Sequence, residues 1–357
     1  MSGKVRKFAF LLSSLKFGGA ERVALNLAKA LKQQGFEVEI LLMSKEGEFL
    51  AEAAELFDVV DLRCDRTWKL PGRLVSYLSA NRPDVLICSF WKLNLGACCA
   101  RLLHPRVRLL LWEHSPPSRS SNSPTVLYAI TASLLYRLAT KIVVVSSGVY
   151  EDVKKITVGL GPKLVVIFNP IPPPIETPAD NARDRDRRKI LWVGRLDEPK
   201  NPGLMLEAFA LLRKGHAYAL DFVGDGRLQA DLERRRDALG LQDRVRFLGF
   251  RSDPYALMSK AGLLVVSSDR EGLPSVIVEA LYCGLRVVST NCGEGIRDIL
   301  LDNCYGTIVP VGDERALALA ISRELDQPHD PRSQVEGARP FLPEEIVRQY
   351  LSALGLD

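Results

Sequence analysis

Short apolar runs alternate with amphipathic stretches along most of the chain. Lys7–Leu12 (KFAFLL) is apolar without alternation, which predicts a strand buried on both faces. Ala20–Gln34 places Val23, Leu27, Ala30 and Leu31 at helical spacing, and Gly35 ends that helix. Glu37–Met43 predicts the next strand. This β-α-β opening predicts a parallel sheet with right-handed crossovers. Further strands are expected at Asp84–Ser89, Val107–Trp112, Lys141–Val145 and Leu164–Phe168, with helices between them.

The pattern breaks at Asn169-Pro170-Ile171-Pro172-Pro173-Pro174 and the charged run that follows. Proline stiffens a connector and removes backbone donors, so an interdomain linker is expected there. The pattern then restarts. Lys189–Val193, Leu220–Val223, Val245–Gly249, Gly262–Val266, Leu285–Ser289 and Gly306–Val309 predict strands. Gly203–Arg213, Arg227–Leu239, Ser275–Tyr282 and a helix beginning at Arg297 lie between or after them. A polar, proline-containing break precedes a closing amphipathic helix, Pro343–Leu354. The fold class expected is α/β, with two doubly wound parallel sheets of Rossmann type. The expected boundaries are 1–170 for the first domain, 171–188 for the linker, 189–335 for the second domain and 340–357 for a closing helix.

The chain is organised around Gly262–Arg286. An apolar run, a polar turn (Ser267–Gly272) and Pro274 lead into a short apolar helix that Gly284 would end. Glu279 is the sole charge in Ser275–Tyr282, and Glu271 lies eight residues earlier. A buried carboxylate needs partners. A helix N-terminus favours an anion, and a glutamate beside an anion can accept hydrogen bonds from sugar hydroxyls. Both readings point to a nucleotide sugar.

Composition changes this picture little. The chain has 357 residues, 47% apolar and 25% charged, with a net charge of +5, ordinary values for a globular protein of two domains. The mild basic excess does not argue for nucleic acid, and it suits an anionic substrate or membrane surface. Seven cysteines without C-x-x-C spacing read as core thiols. The basic start and the run Phe8–Leu12 are too short for a signal peptide, and no run approaches the roughly 18 residues of a membrane-spanning helix.

Other candidates lie at the carboxyl ends of predicted strands. Gly18-Gly19 reads equally as a phosphate site or as a tight turn. His114, in Trp112-Glu113-His114-Ser115-Pro116, reads as structural or as facing a ligand. Arg195 and Lys200 follow Lys189–Val193, where they would suit a diphosphate or be solvated surface cations. Asp184-Arg185-Asp186 has the D-x-D form of a metal motif, but it sits in a charge run with no preceding strand and is rejected. Neither half carries G-x-G-x-x-G, which disfavours a nicotinamide oxidoreductase.

Taken in order, several motifs resemble the retaining glycosyltransferases of family 4, which have two Rossmann-like domains facing across a cleft, the GT-B arrangement. They are Phe17-Gly18-Gly19-Ala20-Glu21-Arg22-Val23, Glu113-His114, Ser146-Ser147-Gly148-Val149, Asn169-Pro170 and Val193-Gly194-Arg195-Leu196 with Lys200-Asn201. Val223-Gly224-Asp225-Gly226, Leu248-Gly249-Phe250, and Glu271-Gly272-Leu273-Pro274-Ser275 through Glu279-Ala280 complete the set. The resemblance implies roles. Arg195 and Lys200 would hold the donor diphosphate, which Gly18 and Gly19 approach from the other domain. Glu279 would bind the ribose, and Glu271 hydroxyls of the donor sugar. Backbone groups of Gly272, Leu273, Pro274 and Ser275 would bind the diphosphate or sugar. Gly249, Phe250 and Arg251 would border the base, and His114 would contact the transferred sugar. Glu271, His114, Arg195 and Lys200 form the expected catalytic set, with no metal and no cofactor.

Asn291–Leu300 departs from the commoner G-G-x-x-E pattern. It looks closer to the C-P-S-G-P-R-E-I-L form of bacterial polysaccharide and lipid-linked oligosaccharide transferases, with Asp298 where Glu is usual. This similarity implies a hexosyltransferase using a UDP-hexose or UDP-N-acetylhexosamine. The implied acceptor is a glycan or lipid-linked hydroxyl in lipopolysaccharide or other cell-surface polysaccharide biosynthesis. The expected location is cytoplasmic, at the inner face of the plasma membrane if peripheral contact occurs. Lys4, Arg6 and Lys7, and the Lys92–Arg108 region with Arg101, Arg106 and Arg108, would mediate that contact with basic and apolar surface or form an ordinary solvated basic face. The rival readings are a nucleotide-sugar epimerase and a catalytically silent nucleotide-sugar-binding partner subunit.

Overall fold

A computed structural model describes residues 7–16, 18–119, 124–174, 185–212, 218–251 and 253–356. The chain divides into two compact units, Met1–Pro172 with Phe341–Asp357, and Pro173–Pro340. Lys4, Arg6, Phe17, Asp184 and Arg213, all named above, lie outside the described residues.

In the first unit the elements run β1 (Lys7–Leu12), α1 (Gly19–Gln33), β2 (Glu37–Leu42), α2 (Leu50–Leu56), β3 (Asp58–Asp61) and α3 (Leu70–Asn81). They continue β4 (Val85–Ser89), α4 (Trp91–Arg101), β5 (Arg108–Glu113), α5 (Thr125–Leu135), β6 (Lys141–Val144), α6 (Ser147–Ile156) and β7 (Leu164–Val166). The strands form a parallel seven-stranded sheet of order β3-β2-β1-β4-β5-β6-β7. The order reverses between β1 and β4. Ligands of doubly wound sheets bind beyond the carboxyl ends of the strands at such a switch point.

The second unit runs β8 (Asp186–Val193), α7 (Pro202–Leu211), β9 (Ala219–Val223), α8 (Gln229–Ala238), β10 (Val245–Phe247), α9 (Tyr255–Met258) and β11 (Ala261–Val266). α10 (Ser275–Tyr282), β12 (Arg286–Thr290), α11 (Glu294–Leu300), β13 (Thr307–Val309), α12 (Glu314–Asp326) and α13 (Pro331–Ala338) follow. Its parallel six-stranded sheet has the order β10-β9-β8-β11-β12-β13, with the switch between β8 and β11. α14 (Pro343–Ala353) then buries Ile346, Val347 and Tyr350 in the core of the first unit.

The central strands are apolar throughout because helices cover both faces. One irregularity has a steric cause. The register between β8 and β11 shifts across Gly262, where a Cβ would lie 2.6 Å from the Arg187 carbonyl oxygen. α10 ends in a Schellman motif. Gly284, at φ +62°, donates its N–H to Leu281 O (2.8 Å), and Leu285 donates to Ala280 O (2.9 Å).

Three expectations need correction. β8 begins at Asp186, inside the stretch expected as linker. Asp186 therefore opens a strand, and its carboxylate accepts the Arg188 N–H at 2.9 Å. The supposed break after Val309 holds α12, which buries Leu317, Ala318, Ala320 and Ile321, and α13. α2 and the four-residue strand β3 also escape the periodicity. Asp-Val-Val-Asp is too short and too charged to register as apolar.

Candidate functional site

In the second unit, the loops after β8 and β11 flank the switch point and are laced together. Trp192 Nε1 donates to Ser267 Oγ (2.9 Å), and Ser267 Oγ donates to Asn201 O (2.7 Å). Asn201 adopts the left-handed region (φ +44°), caps α7 by accepting from Leu204 N–H (3.1 Å), and donates to Asp269 Oδ1 (2.8 Å). Asp269 N–H donates to Pro199 O (2.9 Å). Thr290 Oγ1, at the end of β12, donates to Ser268 O (2.6 Å). Buried hydroxyls and backbone carbonyls thus satisfy one another and hold both loops rigid.

On this platform sit Lys200 and Glu271. Lys200 Nζ donates to Glu271 Oε1 at 2.6 Å, and Ser268 Oγ donates to the same oxygen at 2.7 Å. Arg195 stands apart, an exposed side chain 3.3 Å from Asp197 Oδ2. The next turn leads to Pro274 and α10, whose N-terminus no side chain caps among the described residues; the Ile277 N–H returns to Pro274 O (3.2 Å), and a helix start of this kind suits a further acceptor at its first N–H groups. Glu279 lies one turn beyond Ser275. Protein surrounds its partly exposed carboxylate, and this desolvation raises its pKa, offset in part by a hydrogen bond from Ser275.

Glycines let these loops approach. A Cβ on Gly295 would stand 2.0 Å from Gly272 O, and one on Gly293 would stand 2.6 Å from Glu271 O. The start of α11 is thereby pressed against the Glu271-Gly272 backbone. On the other side of β8, the loops after β9 and β10 meet. Gly224 N–H donates to Gly249 O (2.9 Å), and Phe250 N–H to Asp225 Oδ1 (3.1 Å). Gly249 has φ +67°. Phe250 and Arg251 are exposed.

In the first unit, Gly18 precedes α1 and Gly19 begins it. The Glu21 carboxylate folds over Gly18, where a Cβ would meet Glu21 Oε2 at 2.0 Å, and burial raises its pKa. Among the described residues, nothing crowds Gly19. His114 follows β5. Its Nε2 is 3.4 Å from Ser89 Oγ at the end of β4, and its ring lies 4.6 Å from that of Trp112. Burial pulls its pKa down to about 4, so the imidazole is neutral near pH 7. Its neighbour Glu113 is buried, and burial pushes its pKa up to about 7. Tyr136 OH (2.5 Å) and Asn94 Nδ2 (3.2 Å) donate to it.

Two family profiles match consecutive parts of the chain, Glycosyltransferase Family 4 over residues 17–173 and Glycosyl transferases group 1 over residues 175–340. The chain belongs to the family 4 glycosyltransferases. It is 29% identical over 347 residues to GalNAc-alpha-(1->4)-GalNAc-alpha-(1->3)-diNAcBac-PP-undecaprenol alpha-1,4-N-acetyl-D-galactosaminyltransferase of Campylobacter jejuni, covering 93% of this chain and 92% of that one. The lipopolysaccharide core biosynthesis glycosyltransferase LpsD of Rhizobium meliloti is 26% identical, with 87% and 86% covered. Among solved structures, Anabaena Alr3699/HepE in complex with UDP has a TM-score of 0.81 at 21% identity, covering 98% of this chain and 99% of that chain. The likeness fixes the fold as GT-B.

Within this glycosyltransferase, the second unit joins Lys200 to Glu271 and sets α10, with Glu279, immediately after the same loop. Arg195 sits on the β8 loop but reaches neither. Sequence reasoning left Trp192, Asn201, Ser267, Ser268, Asp269 and Thr290 without roles. Their signal is a polar cluster at the ends of three neighbouring strands, legible once the strand order is known. The basic surface also needs correction. Lys7 pairs with Glu39 at 2.6 Å. The Arg101 guanidinium donates to the carbonyls of Val107 and Leu138. Neither is a free surface cation. Among the described residues, no helix is long and apolar enough to cross a membrane.

Proposed function

We propose that this glycosyltransferase moves an N-acetylhexosamine or hexose from a UDP donor to a hydroxyl of a lipid-linked glycan, with retention and without a metal ion. The observation that carries the donor half is the Lys200–Glu271 pair at the β8/β11 switch point, followed directly by the uncapped start of α10. A diphosphate there would meet Lys200, the swinging Arg195 fork and helix N–H groups. These are preorganised positive groups for the negative charge that develops on the leaving nucleoside diphosphate. Glu271 would then accept hydrogen bonds from sugar hydroxyls, and Glu279 from the ribose. In this reading the leaving phosphate takes the acceptor proton, so attack on the same face gives retention. His114 would contact the sugar as a neutral group.

The UDP bound to Anabaena HepE supports a uridine donor. The relative from Campylobacter jejuni, named as acting on an undecaprenol-diphosphate-linked glycan, supports N-acetylhexosamine transfer to a lipid-linked acceptor. The Rhizobium relative supports a place in cell-surface polysaccharide biosynthesis. In this reading the protein would work at the inner face of the plasma membrane, where such an acceptor is anchored.

The test mixes purified protein with UDP-N-acetylgalactosamine, UDP-N-acetylglucosamine, UDP-glucose or UDP-galactose and a polyprenyl-diphosphate-linked glycan. UDP release and the anomeric configuration of the product are read, with and without EDTA. Release with retention, unchanged by EDTA, is expected. An inverted product overturns the mechanism, and loss of activity with EDTA overturns metal independence. An epimerised sugar without acceptor favours the epimerase, and no UDP release with any pair favours a silent subunit.

A further inference from the structure

Phe90 has a backbone that its residue type does not favour. It follows β4 at the β1/β4 switch point, with φ +74° and ψ +134°. Arg82, Asn201 and Leu301 also have positive φ, but ψ of 53°, 58° and 58° places them in the ordinary left-handed region. Phe90 combines positive φ with an extended ψ, a conformation that glycine alone adopts readily. Burial does not offset this strain, since Phe90 is 37% exposed. A glycine would fit this backbone at less cost, so the ring is what phenylalanine adds. Strain of this kind clusters where a site needs a side chain held in one place.

A buried network enforces the conformation. The Asn94 N–H donates to Phe90 O (2.9 Å) at the start of α4. The buried Asn94 side chain donates through Nδ2 to Glu113 Oε1 (3.2 Å), which also accepts from Tyr136 OH (2.5 Å). Trp91 Nε1 donates to Thr131 Oγ1 of α5 (3.0 Å). Glu113 adjoins His114, so one carboxylate ties the start of α4 to the end of β5. On the Phe90 side, Ser89 Oγ lies 3.4 Å from His114 Nε2, and the Phe90 and His114 rings are 6.0 Å apart at 43°. The buried Trp112 ring backs the imidazole at 4.6 Å. Phe90 therefore presents an aromatic ring with a half-buried imidazole at its edge.

This combination matches a sugar. A pyranose has a face of C–H bonds, which suits the negative face of an aromatic ring. Its rim of hydroxyls suits a neutral imidazole, which both donates and accepts. We propose that Phe90 is an acceptor-binding residue, its ring stacked against the C–H face of the sugar that carries the attacking hydroxyl. The inference rests on the reading in which His114 contacts the transferred sugar, and deepens it. A sugar stacked on Phe90 then lies beside the transferred one, as attack on the anomeric carbon requires. The network fixes the backbone under the stacking ring before the acceptor arrives, which lowers the ordering cost of binding.

The first test is kinetic, with the UDP-sugars and polyprenyl-diphosphate-linked glycan described above. Phe90→Ala should raise KM for the glycan roughly tenfold, the scale of one lost aromatic stack, with KM for the UDP-sugar unchanged. Phe90→Tyr should keep the wild-type value. Phe90→Leu, apolar but without a π face, should lose as much as Phe90→Ala. Phe90→Gly removes the ring and relaxes the backbone. It should melt at or above the temperature of Phe90→Ala and still show the same loss, which separates binding from folding. The second test needs no turnover. Saturation-transfer NMR is run with soluble disaccharides of N-acetylgalactosamine, N-acetylglucosamine, galactose and glucose, with UDP present. One disaccharide should show contact at the protons of one ring face with wild type and Phe90→Tyr, and lose it with Phe90→Ala. A wild-type glycan KM in Phe90→Ala, a rise confined to the donor KM, or recovery of glycan KM in Phe90→Leu or Phe90→Gly overturns the proposal. So does the absence of contact between wild type and every disaccharide. No UDP release with any pair sinks the transferase reading, and the NMR comparison then decides the role of Phe90 alone.

Discussion

Lys200 Nζ lies 2.6 Å from Glu271 Oε1, across two loops that the strand order brings to the same point. The side chains are 28% and 11% exposed, so each serves as the other's countercharge in a partly dry setting. A donor diphosphate would draw Lys200 away and free Glu271 for hydroxyls. Lys200→Ala should therefore lower turnover at saturating donor by about 10²–10³, and Glu271→Gln should lower it as well. Because the two act as one unit, the double variant should be little worse than Lys200→Ala. Steady-state kinetics of all three check this. Losses that simply multiply would show that the pair does not work together. Arg195→Ala should cost turnover too, although Arg195 touches neither partner without donor.

Glu279 gives a prediction with a pH sign. Burial raises its carboxyl above the ordinary range, so it protonates earlier on acidification than an exposed glutamate. The ionised form is a pure acceptor on both oxygens, whereas protonation turns one of them into a donor and weakens its acceptance. UDP affinity should fall as pH is lowered through that raised pKa, and the fall should be shallower in Glu279→Gln. At pH 8 the substitution should cost roughly tenfold in affinity, the scale of one hydrogen bond to a charged group. Calorimetric titration of UDP at several pH values reads both effects. Identical profiles for the two proteins would remove Glu279 from the ribose role.

Gly295→Ala tests the packing behind the site. The new Cβ would stand 2.0 Å from Gly272 O, and a backbone atom cannot swing aside as a side-chain tip can. Either α11 or the Glu271–Leu273 turn must shift. The Michaelis constant for donor should rise, and the melting temperature should fall by several degrees, as for a clash of roughly 1–3 kcal/mol. Wild-type values for both would mean that the loops are not pressed together.

Much of this was legible before the fold was known, for definite reasons. Buried parallel strands such as Lys7–Leu12 and Ala261–Val266 write themselves as continuous apolar runs. The turn chemistry of Pro274 and Gly284 brackets α10 closely. Glu279 stands out because it interrupts apolar sequence, and Glu271 because it lies eight residues earlier, in the polar turn that leads to the same helix. The loop staples were hidden because Ser267, Asn201 and Thr290 are ordinary polar residues until the order β8-β11-β12 makes them neighbours. α12 was hidden because Leu317 and Ile321, the large residues of its buried face, stand in an unbroken apolar run, Ala316–Ile321, with the exposed Leu319 among them, which blurs the helical spacing. Its cap was readable, since the Asp313 carboxylate accepts the Ala316 N–H at 2.8 Å.

Glu113 and His114 are adjacent, and burial shifts them in opposite directions, to about 7 and about 4. Between pH 4.5 and 6.5, set by their ordinary values, the unfolded chain carries an ionised Glu113 and a protonated His114. The folded chain carries a protonated Glu113 and a neutral His114. Each state binds one proton across the pair, so the pair adds almost no pH dependence to stability. Single substitutions unmask the two halves. In Glu113→Gln the remaining histidine has a lowered folded pKa, so the unfolded state binds more protons and stability relative to wild type rises with pH up to about 6.5. In His114→Gln the remaining glutamate has a raised folded pKa, so its stabilisation is complete below its ordinary value and is lost as pH rises to about 7. Each slope should total about 3 kcal/mol. Urea midpoints for the variants and wild type at matched pH values read this directly, because all other groups cancel. Parallel profiles for the two variants would show that the adjacent groups are not held in these opposite protonation states.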